Sequence, residues 1–185
     1  AIEQKVNRSE LNDLTGRVAN TESSIRQTVD RINLEVSKIP TEIGGRNLLK
    51  GTAEFKGWIK HDDKATLGYG YLNNKFIETA SSAYSGYYLV SNGYLNIEQN
   101  TNYTISFWVF VKRKPLNCVV GFNKVAINNL DNIPLNRWTR VTKTFNSGSS
   151  SEDYTTNNVF YLIASDGEVL FSSPKLERGS IATDW

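Results

Sequence analysis

The chain has 185 residues, and 21 Lys and Arg against 19 Asp and Glu leave a net charge of +2, with no clustering that would make an electrostatic footprint for nucleic acid. Apolar residues make up only 39%, yet aromatic residues make up 11%, enough volume to fill a core and to exclude wholesale disorder. One cysteine, Cys118, excludes an intrachain disulfide framework, and with one histidine, His61, it excludes zinc sites built from His and Cys alone.

Residues 1–39 contain no aromatic residue, no proline and one glycine, Gly16, whereas every aromatic residue falls after Thr52. That step marks a boundary, with Pro40 and Gly44-Gly45 punctuating a linker over 40–45. Leu11, Leu14, Val18 and Ile25 sit at a/d-type spacings, with Thr21 at the intervening d position. So narrow a stripe cannot fold alone, because nucleation is costly and little area is buried. It needs copies of itself or the body of a larger protein. From Val29 the pattern is ambiguous. Val29, Ile32, Val36 and Ile39 extend the stripe after a stutter, while Ile32, Leu34 and Val36 alternate with Asn33, Glu35 and Ser37. The alternation and the β-branched density predict a helix ending near Thr28, then a short strand. No run approaches the roughly 20 apolar residues of a membrane span, and no signal peptide opens the chain. With no methionine and Ala1 in first place, the chain reads as an excised fragment or a processed product.

Residues 46–185 read as an all-β domain. Tyr103, Ile105, Phe107, Val109 and Val111 alternate with Thr104, Ser106, Trp108, Phe110 and Lys112, a long strand with two distinct faces. Further strands are expected over 47–49, 55–59, 67–72, 76–79, 87–90, 118–122, 139–145, 159–164 and 169–176. Turn residues separate them: Asp62-Asp63, Asn73-Asn74, Asn92-Gly93, Asn128-Asn129 and Asp166-Gly167. Residues 147–153 form a polar loop. Many short strands with regular turns predict a jelly roll or another β-sandwich.

Three stretches carry a resemblance: Gly44-Gly45-Arg46-Asn47-Leu48-Leu49, Tyr103-Thr104-Ile105-Ser106-Phe107-Trp108, and the terminal run from Ser173 to Trp185, SPKLERGSIATDW. Together they resemble the carbohydrate-binding-module-like jelly-roll domains of tail and baseplate proteins from phages of Gram-positive bacteria. Trp138-Thr139-Arg140-Val141-Thr142 is similar to a strand of that family, and residues 23–38 look like segments that precede such modules in tail fibres. The resemblance implies a virion location at the tail tip or baseplate, other tail proteins as partners, and attachment to a host cell-wall polysaccharide. It also implies a parallel homotrimer, since heptad chemistry alone leaves the strand number open. Such modules often carry a structural calcium ion; no other cofactor is expected, nor any insertion into a membrane.

Sugar binding needs aromatic faces for stacking beside polar groups that hydrogen-bond hydroxyls. Tyr103, Ile105, Phe107, Val109 and Val111 should face the core, so Trp108 points the other way with Thr104, Ser106 and Lys112. A large aromatic on that mixed face is either a platform or covered by another element. Trp58 and the pair Tyr69 and Tyr71, expected on one face of their strand, are the further sugar-binding candidates. Trp138 and Trp185 lie in fold-signature motifs and are assigned to packing. Catalysis has no comparable support: no motif joins nucleophile, base and orienting residue, and Asp62-Asp63 reads as a turn. His61 reads as a solvated loop residue and Cys118 as a half-buried inert thiol. Gly68-Tyr69-Gly70-Tyr71 lacks the following helix or lysine of a phosphate loop. The expected protein is therefore non-enzymatic. The alternatives are a structural spacer of the tail, or a non-catalytic fragment of a cell-wall-degrading enzyme.

Overall fold

The computed structural model describes residues 7–37, 45–81, 83–90, 95–149 and 159–185. Contacts divide the chain into two units, Ala1–Pro40 and Thr41–Trp185. Pro40, Gly44, the Asn92-Gly93 turn and most of the 147–153 loop lie outside the described residues.

The first unit is one helix, α1 (Arg8–Ser37). Asn7 caps it, its side-chain Oδ1 accepting from Ser9 N at 3.3 Å while its carbonyl accepts the first helical bond from Leu11 N. The strand expected after Thr28 does not form, and the helix continues through Val29, Ile32, Leu34 and Val36. A β-branched residue costs a helix only about half a kcal/mol, whereas an unpaired strand leaves its backbone groups without partners. Thr15, Thr21 and Thr28 each donate a hydroxyl bond to the carbonyl four residues back, at 2.8, 2.8 and 2.9 Å. Leu11, Leu14, Val18, Ile25, Val29, Ile32 and Val36 are all exposed along the helix.

The second unit is a sandwich of two antiparallel sheets, so the chain as a whole is mainly β with one N-terminal helix. Its strands are β1 (Ile59–Lys60), β2 (Thr66–Tyr71), β3 (Asn74–Ser81), β4 (Ser85–Val90), β5 (Asn102–Arg113), β6 (Asn117–Phe122), β7 (Trp138–Asn146), β8 (Val159–Ser165) and β9 (Gly167–Arg178). One sheet has the order β1-β4-β8-β6 and the other β2-β3-β9-β5-β7. Alternation along β5 sends Tyr103, Ile105, Phe107, Val109 and Val111 inward, where all are buried with Ile77, Phe171, Leu176, Phe122, Phe160 and Leu162. Each such side chain contributes about 1.5–3 kcal/mol on leaving water.

Two expected strands are replaced by other structure. Residues 51–57 form a run of turns in which Gly51, Phe55 and Gly57 all have positive φ, so only Ile59–Lys60 remains extended. Residues 47–49 run beside β9 with one backbone bond, Leu48 N donating to the Leu176 carbonyl at 2.7 Å, and the Asn47 side chain supplies further contacts. Its Oδ1 accepts from Leu49 N at 3.0 Å and Leu176 N at 3.1 Å, and its Nδ2 donates to the Pro174 carbonyl at 3.0 Å. Pro174 and the positive φ of Ser173 interrupt the ladder there, and Asn47 fills the gap. The β2–β3 turn is Leu72-Asn73, both at positive φ, and Asn74 is already a buried strand residue bonded to Ser173 Oγ at 2.9 Å.

Candidate functional site

The outer face of the five-stranded sheet has an aromatic end. Register places Phe110 between Trp138 on β7 and Leu170 on β9, and Trp108 between Arg140 and Ser172. Phe76 on β3 lies opposite Ser172. Gly68 makes room for it: a Cβ there would sit 2.2 Å from the Phe76 ring. Tyr71 completes the cluster. Its ring stacks on Trp138 with centroids 4.0 Å apart and planes 16° from parallel, and it meets Trp108 edge-on at 5.3 Å. Phe76 and Phe110 tilt against Trp138 at 6.2 and 5.7 Å. β2 and β7 are the two edges of this sheet. Four strand spacings would part them by about 19 Å if the sheet were flat, so the edges curl toward each other and the aromatic face is concave. Tyr71, Phe76, Trp108, Phe110 and Trp138 are half-buried, while Leu170 and Ser172 beneath them are buried. Burial raises the Tyr71 hydroxyl above its ordinary pKa of 10.0. Lys112 pairs with Glu78 at the rim.

The other end of the same face is polar and covered. Lys175 and Glu177 on β9 form an ion pair of 3.1 Å, with side chains only 3% and 0% exposed. The C-terminal segment closes over them. Thr183 donates from N and Oγ1 to the two Glu177 carboxylate oxygens, at 2.9 and 2.7 Å, and Lys175 Nζ donates to the Asp184 carbonyl at 2.8 Å. Thr104 Oγ1 donates to the Gly179 carbonyl at 2.8 Å, and Arg140 donates to the Thr183 carbonyl while pairing with Asp184. The terminal signature is thus a strap whose Lys, Glu and Thr satisfy one another. Beside it, Gly45, Asn47, Leu49, Thr52, Lys175, Asp184 and Trp185 line an open cavity of about 300 Å³.

The sequence candidates separate accordingly. Trp108 and Tyr71 meet in the aromatic cluster. Tyr69 does not: the register slips between Tyr69 and Tyr71, which face Lys75 and Asn74, neighbours on opposite sides of β3. Gly70, at φ 127°, forms the bulge that sends the two tyrosines to opposite faces, correcting the expectation of a shared one. Tyr69 is 70% exposed, with Lys75 Nζ 4.7 Å from its ring centroid. Hydrogen bonds to Tyr69 and then Glu54 raise the Lys75 pKa. Trp58 is corrected outright. It is 7% exposed, packs edge-on against Phe55 and Phe160, and donates Nε1–H to the Lys50 carbonyl at 2.9 Å, so it is a core residue with no free face. Trp138, assigned from sequence to packing, stands at the centre of the aromatic cluster, and Trp185 is 44% exposed. The missed signal for Trp138 is its position at the start of an edge strand, level with Phe110.

His61 is exposed, with Nδ1 3.1 Å from the Tyr84 carbonyl. Asp62 accepts from Ala65 N and Ser85 Oγ, as a turn residue does. Cys118 is buried, and burial with the nearby Asp131 charge pushes its thiol up to about 12. Among the described residues no group of three or more His, Cys, Asp or Glu gathers as a metal site, and no helix is long and apolar enough to cross a membrane.

No family model matches the sequence, and no curated protein matches it. Solved structures are similar in fold. The CBM22-1 xylan-binding domain of Paenibacillus barcinonensis Xyn10C is 15% identical, covering 77% of this chain and 100% of that one, with a TM-score of 0.46. The tailspike protein 4 enzymatically active domain of bacteriophage CBA120 is 11% identical, over 71% of this chain and 21% of that one, with a TM-score of 0.49. The baseplate tripod of bacteriophage Tuc2009 is 17% identical, over 63% and 51%, with a TM-score of 0.40. The likeness is one of β-sandwich architecture, and what each of those proteins binds is a property of that protein.

Proposed function

We propose that the β-domain is a non-catalytic module of a phage tail or baseplate protein that attaches to cell-wall polysaccharide of a Gram-positive host. The observation that carries this reading is the half-exposed row of Tyr71, Trp108 and Trp138 on a concave sheet face, bordered by Arg140, Lys112 and Glu78. Aromatic rings there supply stacking surface for the C–H faces of a pyranose, and the bordering charged groups supply hydrogen bonds to hydroxyls. The virion setting rests on the motif resemblance. One shallow site of this kind supports millimolar to high-micromolar affinity, about −4 to −6 kcal/mol.

Multivalency then supplies the strength. The exposed stripe on α1 is buried when copies assemble in parallel, and the threefold count follows the resemblance. In that arrangement Arg17 and Glu22, five residues apart beside the stripe, face each other across chains with opposite charge. Three linked sites add factors of about a hundred or more to binding. A fluorescent fusion should label intact Gram-positive cells, and stripping the wall polysaccharide should abolish the labelling. Labelling that survives the stripping overturns the ligand, and none on any wall favours the spacer. Light scattering should give three times the 20.8 kDa chain mass. A monomer at high concentration contradicts the trimer. Purified wall polysaccharide incubated with the chain should release no reducing ends.

A further inference from the structure

We propose that Tyr71 is a displaceable cover on Trp138, so the form that binds saccharide is one in which the Tyr71 ring has left the indole. This rests on the saccharide-binding reading and adds the residue that sets its affinity. At 4.0 Å and 16°, the Tyr71 ring occupies the face of Trp138 that a sugar would use. A pyranose held between two rings needs them about 7–8 Å apart, two van der Waals contacts, so none fits in the present stack. Tyr71 also covers Trp108 from the edge, so one movement uncovers both tryptophans.

Three features make the ring free to move. It is held by ring contacts alone, since its hydroxyl makes no hydrogen bond among the described residues. It ends β2, an edge strand paired only with β3. It follows the Gly70 bulge, where a Cβ would meet no atom within 4 Å, and precedes the two-residue turn Leu72-Asn73. The hairpin end can therefore swing outward without breaking the core. Because only the open form binds, the measured dissociation constant is the intrinsic one divided by the open fraction.

The test uses the full chain and oligosaccharides released from the wall polysaccharide of cells that the fusion labels, with affinity read by titration calorimetry. Tyr71→Ala should bind three- to tenfold more tightly than the native protein, and Tyr71→Phe, which keeps the stack, should not share that gain. Trp138→Ala should lose at least tenfold. Tyr71 ring protons, shifted upfield by the indole in the free protein, should move downfield as sugar is added. If Tyr71→Ala weakens binding as Trp138→Ala does, Tyr71 is a wall of the site and the cover is overturned while the site stands. If Trp138→Ala and Trp108→Ala both bind like the native protein, the site itself is overturned.

Discussion

The two ends of one sheet face solve the problem of covering a β-sheet in opposite ways. At the polar end, the Lys175 ammonium and the Glu177 carboxylate are buried and bonded to each other, to Thr183 and to the Asp184 carbonyl. At the aromatic end, the rings stack on one another and stay half-exposed. Polar groups in a closed network have little reason to exchange partners, since each would be left unsatisfied. Stacked rings exchange one apolar neighbour for another at a cost of about 0.5–1.5 kcal/mol per pair. The strap is therefore closed on itself, while the aromatic end keeps ring surface open to solvent.

Substitutions at the two ends should separate stability from binding. Glu177→Ala has the largest expected effect: a fully buried Lys175 ammonium loses its counter-ion, and domain stability should fall by about 3–5 kcal/mol in denaturant unfolding. Glu177→Gln, which keeps one acceptor oxygen for Thr183, should cost less. Trp108→Ala should do the reverse, abolishing cell labelling while moving Tm by only a few degrees. If it instead costs about 3–5 kcal/mol, as full burial would, the aromatic end is a second core and the contrast collapses. Trp58→Ala, in the true core, provides that benchmark.

The smallest effect is a pH dependence. Tyr71 and Tyr87 are raised by burial, and Cys118 is held at about 12. Each keeps its proton in the folded state after the unfolded chain has lost it. Their stabilisation is thus complete below about pH 9 and is lost as pH rises through the folded values. Tyr71→Phe should flatten part of this decline above pH 10 in urea titrations, and the Cys118 thiol should resist alkylation until the domain unfolds.

Much of this was legible in the sequence, because burial on one face of a strand writes a two-residue period. Trp108 was assigned to the outer face from the alternation of Tyr103, Ile105, Phe107, Val109 and Val111, and it lies there. What escaped was everything that breaks the period. The Gly70 bulge separates Tyr69 from Tyr71, a one-residue slip invisible in a count of alternate positions. Trp58 follows a run of turns, where no period exists to say which way it points. Trp138 was set aside because its motif read as scaffold, yet a residue can begin a signature strand and still face outward. The helix beyond Thr28 was missed because Ile32 and Val36 satisfy both periods, and among the described residues no strand pairs with this segment to decide for the other.

The chain's four tryptophans allow the central claim to be tested in a single spectrum. Indole N–H resonances should be followed in ¹⁵N-labelled protein as wall oligosaccharide is added. The Trp108 and Trp138 signals should shift with a common saturation curve, while those of Trp58 in the core and Trp185 beside the strap stay fixed. Shifts confined to Trp185, or no indole shift while the protein still binds the sugar, would contradict recognition by the aromatic end.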